Sequence, residues 1–284
     1  MNKKSGFVLV LILLIVVACK KTNDLLEEKL LTFEKPVHFP DPVYKLNTNP
    51  ITNLGFELGK KLFYDPILSR DNTISCGSCH IAQHGFTHHG HMVSHGIDDK
   101  VGIRNSMPLF NLAWSPSFFW DGGVFHLDLV PIAPIQNEVE MDEKLANVLQ
   151  KLNASKAYKD LFQKTFGDPE ITSSKMFQAI SQFMLMIVSD QSKYDKVKRN
   201  EAAFTKEENE GYTIFKAKCN SCHQEPLFTD YSFRDNGIGI NPAKDLGRYT
   251  SSLIESDKLK FKVPSLRNLK YTAPYMHDGR FLTL

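Results

Sequence analysis

Cys76-Gly77-Ser78-Cys79-His80 and Cys219-Asn220-Ser221-Cys222-His223 together take four of the five cysteines in this 284-residue chain. In a C-x-x-C-H segment each thiol can bond to a vinyl group of a haem, and the adjoining histidine can ligate the iron from one side. A C-x-x-C pair also suits half of a zinc site or a thiol redox centre. Two copies about 140 residues apart, with no other paired cysteines, fit poorly with a zinc ribbon, whose pairs lie much closer together. The spacing therefore predicts two covalently bound c-type haems, with His80 and His223 as iron ligands, and redox chemistry as the functional class.

Outward from these motifs the pattern is helical. Leu54, Leu58, Leu62 and Phe63 repeat at helical spacing over 54–64, and Asp65-Pro66 stops that run just before the first motif. Segments 142–152 and 158–166 read as amphipathic helices, and 173–188 as a strongly apolar one. Thr205 and Glu208 form a capping box at the head of a helix that leads to the second motif. Strand signals are few and short. A haem is itself a large apolar core element, so the expected fold is mostly α, with two cytochrome c-like haem domains and long irregular connections.

The fifth cysteine belongs to a different pattern. Lys3 and Lys4 precede an apolar run from Phe7 to Ala18 that is short for a membrane span, which reads as an export signal over 1–19. Val16-Val17-Ala18-Cys19 resembles a bacterial lipobox, which implies a lipid on Cys19 and a membrane-anchored periplasmic protein. A simple cleaved signal or a short uncleaved anchor are the other readings. Residues 20–50, with Pro36, Pro40, Pro42 and Pro50, read as a tether. Then follow an N-terminal domain over 51–195 and a C-terminal domain over 196–284, one motif in each. A net charge of +2 with 23% charged residues carries no nucleic-acid signature.

Further segments complete an ordered set: Ile74-Ser75, Gly102-Ile103-Arg104-Asn105, Phe119-Trp120-Asp121-Gly122, Val139-Glu140-Met141, Phe228-Thr229-Asp230, 261–268 and 272–279. With the two haem motifs, this set resembles the bacterial dihaem cytochrome c peroxidase family, to which the MauG enzymes belong, from about Pro50 onward. The resemblance implies that the His80 haem meets hydrogen peroxide and the His223 haem receives electrons from a small donor protein of the cytochrome c or cupredoxin type. It implies that Trp120 lies between the haems and that Glu140, twenty residues on, is the distal-pocket acid–base group. A carboxylate there can take a proton from the near oxygen of peroxide and give one to the leaving oxygen. The plainer readings are a buried aromatic with its N–H satisfied for Trp120, and a surface carboxylate at the start of the 142–152 helix for Glu140.

His84, His88, His89, His91 and His95 crowd the segment after the first motif, where an imidazole can be an axial ligand, a proton relay or an adventitious metal ligand. By resemblance His95 is the candidate for a distal histidine that leaves before peroxide binds, although it lies two residues further from Asn105 than the family pattern places it. The others read as a solvated loop. The resemblance also implies calcium, held by Asn105 and the carbonyls of Thr272 and Pro274, oxygen donors that suit a hard cation, and a homodimer. An asparagine bracing a turn is the plainer reading of Asn105. The family's sixth ligand to the second haem falls beyond Leu284, so the chain reads as a fragment; Met276 is a soft but weak axial candidate that reads better as a core residue. A MauG-like oxidase acting on a partner protein and a dihaem electron carrier without catalysis are the two rival functions.

Overall fold

The computed structural model describes residues 31–284, so the export segment, Cys19 and the first part of the expected tether lie outside the described residues. Helix α1, Asn53–Tyr64, starts at Thr52, whose hydroxyl accepts from the Gly55 N–H, and buries Leu58, Leu62 and Phe63. It stops at Asp65 because a residue before proline is pushed out of the helical region. Single turns follow at α2, Cys76–Cys79, and α3, Ile132–Gln136. Then come α4, Leu145–Ala154, α5, Lys156–Phe166, and α6, Ser173–Leu185. The later chain holds α7, Lys193–Lys198, α8, Lys206–Lys218, and α9, Tyr249–Ser252. Its two-residue strands, β1 (Phe233–Arg234) and β2 (Phe261–Lys262), pair antiparallel with Phe233 opposite Lys262. The described chain is thus mostly helical with little sheet.

The packing centre is α1 against α6. A Cβ on Gly59 would stand 1.8 Å from the Ala179 carbonyl oxygen, and one on Gly55 1.9 Å from Gln182 Oε1, so only glycine allows this approach. Around the pair a single apolar cluster runs from Phe39 to Leu185, and Leu227 is its one buried member beyond that. The expected helices differ at their ends for local reasons. The helix over 142–152 begins at Leu145 because Asp142 adopts φ 48°, which a right-handed helix cannot hold. The apolar helix ends at Leu185 rather than Val188 because the Asn111 N–H takes the Ile187 carbonyl and the Asn111 side chain accepts from Ser189 N–H.

The stretch expected as a tether is packed on the body from Phe39 onward. Phe39 and Tyr44 are buried, Trp114 Nε1 donates to the Pro40 carbonyl at 2.8 Å, and the Tyr44 hydroxyl donates to Asp128. The prolines there stiffen an extended run that aromatic side chains pin down. By contrast α8 buries none of its residues, and Ile214 is 62% exposed beside the second motif.

Candidate active site

Both motif histidines are held in the same way. His80 Nδ1 lies 2.7 Å from the Phe86 carbonyl oxygen, and His223 Nδ1 lies 3.2 Å from that of Phe228 and 3.1 Å from that of Pro264. A carbonyl only accepts, so Nδ1 carries the proton and Nε2 keeps its lone pair. Phe86 and Phe228 each sit in the left-handed region, at φ 59° and 56°, which turns their carbonyls back toward the ring. This is the outer-shell bond that orients an iron-ligating imidazole and raises its basicity. Burial also holds His80 below the ordinary imidazole range, in the neutral form a metal needs.

The four motif cysteines are free thiols. Burial, with the nearby Cys79, pushes the Cys76 thiol up to about 12, the opposite of the depressed value a thiol redox centre uses. Among the described residues no three His, Cys, Asp or Glu side chains converge as a metal-holding group, so the zinc reading finds no third and fourth ligand. Gly77 faces the Tyr64 ring, where a Cβ would stand 2.3 Å from Cδ1. Near the second motif Tyr194, Phe215, Phe228, Leu266 and Arg267 line a cavity of about 260 Å³. Paired free thiols, an imidazole with a free Nε2 and apolar walls fit covalently bound haem at both motifs.

Glu140 faces the first motif closely enough to act on the Cys76 and Cys79 thiols. Its carboxylate accepts from Asn137 Nδ2 at 2.7 Å, and burial raises its pKa despite that bond. The helix it was weighed against as a cap begins later, at Leu145. Its backbone is fixed from the far side: Ile97 N–H donates to the Glu140 carbonyl at 2.9 Å. A Cβ on Gly96 would stand 2.5 Å from that same oxygen. Sequence reasoning missed Gly96 and Asn137; Asn137, three residues before Glu140, was the one signal available.

Trp120 is 7% exposed and joins two strands of chain. Its indole N–H donates to the Asn105 carbonyl at 2.8 Å. Its own carbonyl accepts from Lys262 N–H at 2.7 Å, and two residues on the Pro264 carbonyl accepts from His223. Asp121 beside it is held by Arg104 at 2.6 Å, and the same guanidinium grips Asp245 at 2.7 and 2.9 Å.

Of the remaining candidates only Asn105 belongs to that frame, through the bond its carbonyl accepts from Trp120. His95 is partly exposed, with Nδ1 2.6 Å from Asp99. His84 and His89 stack at 3.8 Å, and His88 turns toward His80 with its Nδ1 buried and without a partner. Met276 is 36% exposed, its sulfur accepting from Asn236 Nδ2 at 3.5 Å, so it is not the core residue its sequence suggested. Asn105 donates its backbone N–H to the His277 carbonyl at 2.7 Å and Nδ2 to the Met92 carbonyl at 2.9 Å.

The family model for di-haem cytochrome c peroxidase matches residues 53–203. The chain belongs to that family. It is 33% identical to the methylamine utilization protein MauG of Methylorubrum extorquens, over 94% of this chain and 76% of that protein. It is 37% identical to the cytochrome c551 peroxidase of Nitrosomonas europaea, over 80% of this chain and 70% of that one. Among solved structures, a MauG-like protein associated with microbial copper homeostasis superposes with a TM-score of 0.80 at 29% identity, covering 89% of this chain and 80% of that one. Di-haem peroxidase membership makes two c-type haems the expected prosthetic groups and fits the paired imidazoles and thiols described above.

Proposed function

We propose that this protein is a dihaem c-type peroxidase that reduces hydrogen peroxide to two waters with two protons and two electrons from a small donor protein. The reading is carried by the two-sided attachment of Trp120, whose indole is bonded to the Asn105 carbonyl and whose own carbonyl is bonded to Lys262, two residues before the Pro264 carbonyl that holds His223. The haems supply the redox chemistry, and the chain supplies ligation, orientation and an acid–base group. His80 and His223 present Nε2 to iron, each locked by backbone carbonyls. Glu140 moves the protons: its half-buried carboxylate accepts one at the near oxygen and returns it to the leaving one, while Asn137 fixes its direction. Trp120 marks the electron path. Asn105 Oδ1 and the carbonyls of Thr272 and Pro274 would be the oxygen donors for a calcium ion, which would brace that path.

A MauG-like oxidation of a partner protein is the second reading, favoured by relatives of that name at similar identity. The export-signal pattern over 1–19 and Cys19 support a periplasmic, lipid-anchored location for either activity. The deciding experiment is peroxide-dependent oxidation of a reduced cytochrome by the haem-loaded protein, from the oxidised and half-reduced forms. A Glu140→Gln variant losing about 10²- to 10⁴-fold in turnover, with both haem spectra retained, supports the peroxidase. No turnover by the unmodified protein from either form sinks it.

A further inference from the structure

The two carbonyls that accept from His223 Nδ1 belong to different loops, Phe228 to 224–229 and Pro264 to 263–267. Arg267 ties these loops together. It belongs to the second, and its Nε and Nη2 donate to the Pro226 carbonyl of the first at 3.1 and 2.6 Å. Beside it the Ser265 hydroxyl donates to the Leu227 carbonyl, the Leu266 N–H to the Phe228 carbonyl and the Thr229 hydroxyl to the Val263 carbonyl. A left-handed backbone is strained for phenylalanine, so Phe228 keeps its carbonyl on His223 only while such contacts hold it there.

Arg267 is itself anchored from outside both loops. Its guanidinium is bidentate on Asp195 of α7, Nη1 to Oδ2 at 2.8 Å and Nη2 to Oδ1 at 2.7 Å, with both side chains almost fully buried. The Ser192 hydroxyl donates to Asp195 Oδ2 at 2.6 Å. The Ser192 N–H also donates to Oδ2, and a further donor comes from far away in sequence: His38 Nε2 reaches Asp195 Oδ1 at 2.7 Å, and its own Nδ1 is buried without a partner. An imidazole on a buried carboxylate, with its other nitrogen left unpaired, is costly unless the Asp195 bond is worth keeping.

We propose that Arg267 is a positioning residue for the His223 imidazole, and that His38 completes its Asp195 anchor, so that the N-terminal segment sets the redox behaviour of the C-terminal haem. The proposal rests on haem attachment at both motifs and not on the peroxidase reaction. Firm acceptance of the Nδ1–H makes the ring a stronger donor and favours ferric iron; loosening it raises the midpoint potential of that haem alone.

The test is a spectroscopic redox titration of the holoprotein, each haem followed by its own signal and assigned with a His80→Gly variant. His38→Ala and Arg267→Lys, which keeps the charge but loses the planar fork, are expected to shift the His223 haem midpoint upward and leave the other in place. His38→Gln, which restores a donor to Asp195, is expected to return it toward the unmodified value. Midpoints unmoved in His38→Ala and Arg267→Lys while thermal stability falls would reduce the network to a structural one and overturn the proposal, as would both midpoints moving together. If Arg267→Lys does not assemble, the His38 pair decides. Fewer than two covalent haems in the unmodified protein, counted first by pyridine haemochrome, overturns the proposal together with the dihaem reading, whereas absent peroxide turnover touches only the latter's catalysis.

Discussion

Burial shifts the charge of Glu140 and of Lys262 away from their ordinary values. Burial raises Glu140, and a carboxylate that must accept a proton works only above its own pKa. Peroxide turnover is therefore expected to fall as pH drops through that raised value, and the acid limb of kcat/KM is expected to vanish in Glu140→Gln. Lys262 is 5% exposed, and its ammonium has the Ser117 carbonyl as its acceptor and the Phe118 ring 5.8 Å away. Burial pushes its pKa down to about 7, with Asp121 pulling the other way. Between about 7 and the unfolded value near 10.4 the unfolded chain binds more protons, so stability rises with pH there, by up to about 1.4 kcal/mol per unit. Denaturation curves across that window should show this slope in the unmodified protein and lose it in Lys262→Met. Of these two, Glu140 was singled out through the family resemblance, but the cost of burying Lys262 was not, because Phe261-Lys262-Val263 alone does not reveal what closes over the lysine.

Among the elements, α1 and α6 were legible from apolar spacing, and the Thr205–Glu208 capping box heads α8 as the sequence indicated. What spacing could not supply is how closely α1 and α6 approach. Gly59 meets a backbone carbonyl that cannot swing aside, so Gly59→Ala is expected to cost about 1–3 kcal/mol by overpacking, read as a lower denaturation midpoint. Gly102→Ala, at a position with open space around it, is the control and is expected to leave that midpoint near its original value. The same crossing sets the end of α1, and with it the Tyr64 ring over Gly77 and the Phe63 and Phe183 rings, 5.0 Å apart, near His80. Of the elements misjudged at their ends, 142–152 failed at the left-handed Asp142, and 173–188 where Asn111 bonds Ile187 and Ser189 from far away in sequence.

At the scale of the molecule, Arg104 ties the turn that carries Trp120 to the later chain through Asp121 and Asp245. Both carboxylates are held below the usual range by that guanidinium, which more than offsets their burial. Arg104→Met leaves two enclosed carboxylates without their cation and is expected to cost about 3–5 kcal/mol, measured by denaturation, with faster proteolysis after residue 240 as a second readout. The sequence alone pointed to two haem-attachment motifs and placed most helices, because the C-x-x-C-H pattern and helical periodicity are local properties written in short segments. Tertiary structure decided that Phe86, Phe228 and Pro264 orient the imidazoles, that Gly96 seats Glu140, that residues from Phe39 onward pack instead of forming a tether, and that His38 reaches Asp195. Those are contacts between backbone carbonyls and side chains far apart in sequence, and a residue's type does not say which carbonyl will lie beside it.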